Sequence, residues 1–275
     1  MPGDIKQDEY DGFRLFLEQS AGITLGDNKQ YLVNSRLNRL MSEKGITSLG
    51  DLVDKLKQGA VPGLRETIID AMTTNETLWF RDNSPFKVMQ EEILPTLGSS
   101  LTRNMRIWSA ACSSGQEPYS LSMLVEEFKQ ASPGKLKNEV EIVATDISPT
   151  VLKAAKEARY DGLSMARGMS DERKQKFFTE VEKQWEVKPE IRKRVTFKEL
   201  NLLDSYSGLG KFDIIFCRNV LIYFSSDLKR DIISRMSKSL NPGGLLILGS
   251  SESLTGHSDQ FELVRSPICV HYKLK

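Results

Sequence analysis

Glu117 closes a turn of small residues, Cys112-Ser113-Ser114-Gly115-Gln116, and stands at the mouth of the helix that follows. A pyrophosphate site calls for three glycines and a helix N-terminus free of negative charge, so that backbone N–H groups and the helix dipole face the phosphates. Here there is one glycine, and a carboxylate that repels phosphate and attracts an ammonium group. S-adenosylmethionine suits such a turn, because it carries an amino-acid end, a sulfonium cation and a ribose but no phosphate. The alternative is that Glu117 only complements the helix dipole, worth about 0.3 to 1 kcal/mol. On the turn alone both readings stay open.

Asp146 follows the run Val140 to Thr145 and precedes Ser148-Pro149. An acid at the tip of the strand after the first helix is where nucleotide-binding folds hold ribose hydroxyls. Helix capping is the competing role; with Ser148 as cap and Pro149 opening the helix, the aspartate is left for a ligand. Arg218, Asn219 and Tyr223 follow the apolar run Lys211 to Cys217 and are expected in the crevice shared with Gly115 and Asp146. Thr73 to Asp82 (T-T-N-E-T-L-W-F-R-D) sets poor helix formers with hydrogen-bonding side chains against Trp79, Phe80 and Arg81. That composition suits a loop contacting a polar ligand; a helix C-terminus with two buried aromatics is the bland alternative.

The elements holding these groups follow from periodicity. Ile107 to Ala111 reads as a buried strand, and Pro118 as the first residue of a helix with Leu121, Leu124, Val125 and Phe128 on one face. The turn between them thus lies at the carboxyl end of a parallel strand, where open α/β sheets bind ligands. Val140 to Thr145, Thr196 to Leu200, Lys211 to Cys217 and Leu245 to Leu248 read as further strands, and Phe261 to Arg265 with Ile268 to Leu274 as a terminal antiparallel hairpin. Asp227 is expected to cap the helix bearing Leu228, Ile232 and Met236, and Asn241-Pro242-Gly243-Gly244 to form a turn. Between 159 and 197 the alternation breaks: Trp185 to Lys188 and Arg194 to Phe197 look like exposed antiparallel strands with Pro189 between them, and Arg192, Lys193 and Arg194 form a basic edge. Residues 8–75 are helical in pattern, with Phe13, Phe16 and Leu17 ended by Gly22, a helix from Asn28 to Lys44, and two more over Leu49 to Lys57 and Leu64 to Met72. On the second helix Arg36 and Arg39 lie apart from Val33, Leu37 and Met41; a solvated face, with Glu43 pairing to Arg39, and a docking surface for an acidic partner both fit.

The expected fold class is α/β: an N-terminal helical bundle with its linker helix (1–90), then a Rossmann-like domain (91–275) with a small antiparallel β-subdomain insert (160–198); a mostly parallel sheet closed by an antiparallel hairpin is the arrangement typical of S-adenosylmethionine methyltransferases. A net charge of +1 gives no global pull toward nucleic acid or membrane, and a nucleic-acid methyltransferase is expected to show a broader basic surface. Three cysteines, far apart, suggest neither a disulfide frame nor a zinc site, and no metal is expected. The N-terminus lacks an apolar signal core, and no apolar run approaches the ~18 residues of a membrane span, so a cytoplasmic protein without membrane insertion is expected.

With these stretches together the chain resembles the chemoreceptor methyltransferases of the CheR family over nearly its whole length. The resemblance is carried by T-T-N-E-T-L-W-F-R (Thr73 to Arg81), W-S-A-A-C-S-S-G-Q-E-P-Y-S (Trp108 to Ser120), A-T-D-I-S (Ala144 to Ser148) and F-C-R-N-V-L-I-Y-F (Phe216 to Phe224). It implies methyl transfer from S-adenosylmethionine to glutamates on the cytoplasmic helical bundle of chemotaxis receptors, giving γ-methyl esters and S-adenosylhomocysteine. It further implies that Asn75, Thr77, Arg81, Gly115, Glu117, Asp146, Asn201, Leu202, Arg218 and Asn219 serve the cofactor, with Asp146 on the ribose and Glu117 near the ammonium. Arg81 and Tyr223 would border the methyl group, Arg36 and Arg39 would meet the acidic receptor bundle, and the enzyme would act as a monomer. Two alternatives stand beside this: a cofactor-binding signalling scaffold, and a methyltransferase acting on another protein.

One departure from the family pattern concerns the β-subdomain. Members tethered to a peptide at the receptor's C-terminus carry a glycine-containing loop there, whereas no glycine lies between Phe178 and Phe197. A shorter turn near Val187 to Ile191 is expected in its place, and recognition without the tether.

Overall fold

The computed structural model describes residues 5–59 and 61–275; Met1 to Asp4, the beginning of the stretch read above as lacking a signal core, lie outside the described residues. Four helices come first. In α1 (Gln7–Ala21) Tyr10, Phe13 and Leu17 recur at helical spacing and are buried, and the helix ends where Gly22 takes the left-handed conformation (φ 72°). α2 (Gln30–Glu43) turns Val33, Leu37 and Met41 inward, α3 (Leu49–Gln58) starts at Ser48, whose hydroxyl accepts from the Asp51 amide, and α4 (Leu64–Met72) buries Ile68 and Met72. These apolar faces close a core of their own.

The structure moves the expected break at residue 90 toward the N-terminus. α5 (Ser84–Val88), a π-helical turn (Met89–Ile93) and α6 (Leu94–Ser100) form one run, and Phe86, Met89 and Leu94 join Trp79 and Phe80 in the core of the sheet domain, not of the bundle.

Alternating units follow: β1 (Met105–Ala110), α7 (Gln116–Ala131), β2 (Val140–Asp146) and α8 (Pro149–Glu157). The insert comprises β3 (Arg159–Tyr160), α9 (Gly162–Ala166), α10 (Asp171–Phe177), β4 (Phe178–Val181) and β5 (Gln184–Val187), with β5 antiparallel to both neighbours. α11 (Pro189–Arg192), β6 (Val195–Glu199), β7 (Phe212–Cys217), α12 (Ser226–Lys238), β8 (Leu240–Leu248), β9 (Phe261–Arg265) and β10 (Val270–Leu274) complete the chain. The main sheet runs β6-β2-β1-β7-β8-β10-β9; its first five strands are parallel, and β10 and β9 each run antiparallel to the strand before. Every residue of β7 is buried, as its apolar run requires. From β1 the chain winds outward through β2 to β6 and then crosses to β7 on the other side. The carboxyl ends of β1 and β7 therefore flank the switch point at which such sheets bind ligands.

Several expectations are corrected here. α7 begins at Gln116, two residues before Pro118, with Gly115 preceding it. The expected insert over 160–198 is too long, because Val195–Glu199 pairs in parallel with β2 and is the edge of the main sheet; its alternation reflects one covered face. Pro189 opens α11 and is not in a hairpin turn. The hairpin of the insert closes instead at Glu182-Lys183, both left-handed at φ 51° and 65°, a two-residue turn matching the twist of its strands. The basic edge dissolves into pairs: Arg192 bonds Glu186 at 2.9 Å, and Arg194 is buried against Glu126. Ser225, not Asp227, caps α12 by accepting from the Leu228 amide. Asn241 to Gly244 lies within β8, where the register with β7 shifts between Phe212 and Ile214, so the glycines form a bulge. Among the described residues no helix is long and apolar enough to cross a membrane.

Candidate active site

A cavity lies at the switch point, walled by the loops after β1, β2, β6 and β7 and covered by the helical bundle. Asn75, Thr77 and Arg81 reach it from the loop after α4, Glu117 from α7, Asp146 from the tip of β2, Asn201 and Leu202 from the loop after β6, and Arg218, Asn219 and Tyr223 from the segment after β7. The four stretches singled out in the sequence thus meet in one place. Gly115 does not line the cavity, and Arg39, expected on the receptor-docking side, lies outside it. At φ 94° a side chain on Gly115 would be strained, and its Cβ would stand 3.1 Å from Ala155 Cβ and Tyr160 Oη, so the glycine serves the packing of α7 against α8 and the insert. Arg39 points away, 91% exposed, and pairs with Glu43 at 2.7 Å.

The turn after β1 carries its own bends on Ala111 and Ser113, both left-handed at φ 58° and 51°. That shape aims the Ser113 amide at Asp146 Oδ2 (2.8 Å), while the Ser148 amide donates to Oδ1 (3.0 Å). Each oxygen keeps a further lone pair for a ligand. Burial raises the Asp146 pKa above the ordinary aspartate value, against the lowering pull of the Ser148 and Ser113 amides. Ser148 caps α8, accepting from the Val151 amide, and its hydroxyl also meets Asp70 of α4. Asp146 is therefore not simply left over by the cap; it stitches the ends of β1 and β2 together.

Glu117 is also more engaged than the sequence suggests. Its Oε1 accepts from Ser109 Oγ (2.7 Å) and its Oε2 from Arg218 Nη1 (3.0 Å). The Arg218 side chain, 1% exposed, also donates through Nη2 to Asp82 Oδ2 (2.8 Å) and to the Arg81 carbonyl (2.6 Å). Two carboxylates around one guanidinium leave this group with a net charge of −1, so an ammonium placed beside it is favoured and a phosphate is not. Arg218 Nε is buried with no hydrogen-bond partner among the described residues.

The Arg81 guanidinium holds the Glu76 carbonyl at 3.1 Å with Nη1 alone. Trp79 and Phe80 beside it are buried, so this stretch both lines the cavity and buries the two aromatics, the roles that the sequence offered as alternatives. Asn75 accepts at its carbonyl from Ser113 Oγ (2.8 Å). Arg36 does not join Arg39 in a free basic face: its guanidinium donates to the carbonyls of Met72 (2.6 Å) and Thr73 (3.0 Å) and to Thr74 Oγ1 (2.9 Å), and it lines the cavity. Asn201 Nδ2 donates to the Ser20 carbonyl (2.8 Å), and the Thr24 amide to the Tyr223 carbonyl (2.9 Å), so the cover is fastened at both ends.

Sequence reasoning missed that cover. Ala21, Ile23, Thr24 and Leu25 line the cavity just after the Gly22 stop; the one available signal is an apolar run continuing past a helix C-cap without helical period. It also missed Asp82 as a partner of Arg218, and Glu252 in the loop after β8, which accepts from the Asn219 amide (2.7 Å) and which no local pattern marks.

The wall fits the cofactor expected from the sequence. Asp146 and Glu117 bring carboxylate acceptors to the cavity, of the kind a ribose diol and an ammonium would need, and Ile23, Leu25, Ile147 and Leu202 bring apolar surface of the kind a flat base would need. Comparison with known proteins agrees. Residues 75–270 match the family described as CheR methyltransferase, SAM binding domain, and residues 8–73 its all-alpha domain. The chain is 55% identical to chemotaxis protein methyltransferase 1 of Pseudomonas aeruginosa, covering 97% of this chain and 98% of that one, and 52% identical to chemotaxis protein methyltransferase Cher2 of Pseudomonas putida over the same shares. It is 50% identical to chemotaxis protein methyltransferase 1 of Vibrio cholerae, covering 98% of each.

Proposed function

Since the chain belongs to the CheR methyltransferase family and is an S-adenosylmethionine-dependent methyltransferase, we propose that it acts as a cytoplasmic monomer that methylates glutamate side chains on the cytoplasmic helical bundle of chemotaxis receptors. The observation that carries this reading is the meeting, in one cavity, of Asp146, the Glu117–Arg218 pair, Asn201 and Asn219 with Arg81 and Tyr223. Asp146 would hold the ribose hydroxyls and the Glu117 carboxylate the ammonium, with Arg218 holding Glu117 in place. When bound, the cofactor supplies an electrophilic methyl group on sulfur.

The remaining chemistry asks little of the protein. A glutamate with pKa about 4.3 is an anion at neutral pH, so its attack needs no general base. Neither His257 nor His271 lines the cavity. Catalysis then rests on alignment, with the freedom of encounter lost before the chemical step. Arg81, whose guanidinium keeps donors to spare, orients the incoming carboxylate; a tighter grip would stabilise the ground state and slow transfer. Tyr223 positions the acceptor and is not required to deprotonate it. On the outer face Arg39 is free to meet an acidic bundle, because its pair with Glu43 is exposed to solvent and weak. Arg36 is committed to the loop after α4 and supports the cofactor side.

Receptor recognition would not use a C-terminal pentapeptide. The β4–β5 connection is the two-residue turn Glu182-Lys183 and offers no loop to complete a peptide site. Titration calorimetry with that peptide should give no binding heat, and a micromolar Kd would overturn this part. The reaction itself is tested by transfer of labelled methyl to receptor-bearing membranes followed by mild alkali: label released as methanol supports the ester. Cofactor binding without transfer would favour the scaffold alternative, and transfer to another protein the second one.

A further inference from the structure

The segment after β7 carries Asn219 and Tyr223, and its backbone is held from the far side by a single carboxylate. Glu252, in the loop after β8, accepts four backbone N–H groups: Oε1 from Val220 (3.0 Å) and Ile222 (3.3 Å), Oε2 from Asn219 (2.7 Å) and Gly249 (2.8 Å). A carboxylate has about four lone-pair sites, and here each is taken by an amide. Among the described residues no lysine or arginine pairs with it; its partners are backbone dipoles alone. A second, independent feature is the fit at Gly249. A Cβ there would lie 2.8 Å from Glu252 Oε2, 2.9 Å from Asn219 Nδ2 and 3.0 Å from the Asn219 amide, so the close approach requires glycine.

Asn219 is left-handed at φ 57°, a conformation asparagine adopts more readily than most residues with a side chain. Glu252 holds that bend by fixing the amides of Asn219, Val220 and Ile222 together. The Thr24 amide fixes the carbonyl of Tyr223 from the opposite side.

We propose that Glu252 is a positioning residue for methyl transfer: its carboxylate clamps the Asn219–Tyr223 backbone so that both side chains face the cofactor and the acceptor. The inference rests on the function proposed above but uses a residue outside the cavity wall. It follows that the isosteric change Glu252→Gln is not conservative, because one amide nitrogen would face two N–H donors. Glu252→Asp shortens the reach and should lie between. Gly249→Ala keeps the carboxylate and crowds the same clamp.

The test combines three readouts on the full chain: kcat on receptor membranes per cofactor site titrated by calorimetry, Kd for S-adenosylhomocysteine, and amide hydrogen exchange over residues 217–224. For Glu252→Gln and Gly249→Ala the expected results are a fall in kcat per titrated site of at least tenfold, a Kd raised about threefold or more, and faster exchange confined to that stretch. A purely structural role would lower the number of competent sites but leave kcat per site unchanged, and that outcome overturns the proposal. Unchanged exchange in Glu252→Gln overturns it as well. If the wild-type protein transfers no methyl to receptors, the functional reading fails separately, and the clamp is then decided by the Kd and exchange arms.

Discussion

Arg218 Nη1 stands 3.0 Å from Glu117 Oε2, and this buried pair links the segment after β7 to the helix that follows β1. The arginine arises from a polar position after a fully buried strand, the glutamate from the first turn of α7. Their meeting brings both sides of the switch point into one electrostatic group together with Asp82.

Removing the cation from this group should be severe. Arg218→Ala leaves Glu117 and Asp82 facing each other without a counter-charge, a loss of about 3 to 5 kcal/mol by the usual cost of breaking a buried pair. Thermal and denaturant unfolding measure it. Glu117→Gln leaves Arg218 with Asp82 and the Arg81 carbonyl, so stability should hold while S-adenosylhomocysteine affinity falls roughly tenfold or more, the worth of one charge-assisted bond.

Asp146 predicts a pH dependence. Its pKa lies above the ordinary aspartate value because burial penalises the charge, and the ionised form is the one that would accept from ribose hydroxyls under the function proposed above. Cofactor affinity should therefore be flat near neutrality and fall on acidification, starting at a higher pH than an exposed aspartate would give. Calorimetry across the acid range checks it, and Asp146→Asn should remove the limb along with most of the affinity.

The two arginines of α2 should separate. Arg36→Ala deletes three bonds to the loop after α4, costing about 1 to 3 kcal/mol and weakening cofactor binding. Arg39→Ala should leave Tm unchanged and act only on KM for the receptor. Equal effects on receptor KM would contradict this division.

Asp213 should govern part of the acid stability. Burial alone would raise its pKa, but Arg103, the Arg106 amide and Asn241 together outweigh that and leave it below the usual value. A group with a depressed folded pKa adds stability that is present above its unfolded pKa and is lost as pH falls through the folded one. Asp213→Asn should thus lower Tm near neutrality and flatten its acid decline, as scanning calorimetry at several pH values would report.

How much of this was legible in the sequence depended on range. The helix faces, the buried run ending at Cys217 and the Ser148-Pro149 start are local signals, and those elements formed with shifts of a residue or two at their ends. Four ligand stretches could be placed in one crevice because each followed a strand or closed a domain. What stayed hidden was pairing at long range. Glu117 looked free because Arg218 is 101 positions away, Arg36 looked like surface because its acceptors are the carbonyl groups of another loop, and Glu252 works through backbone amides that no side-chain pattern encodes. Gly115 misled in the opposite sense: a glycine at a ligand turn suggested contact, whereas Ala155, Tyr119 and Tyr160 crowd it.

The most direct measurement is tandem mass spectrometry of receptor cytoplasmic segments after incubation with the protein and S-adenosylmethionine. A mass gain of one CH2 is expected on glutamate side chains of the helical bundle, absent with Asp146→Asn. A gain on lysine or on another protein, or none while cofactor binding is intact, would contradict it.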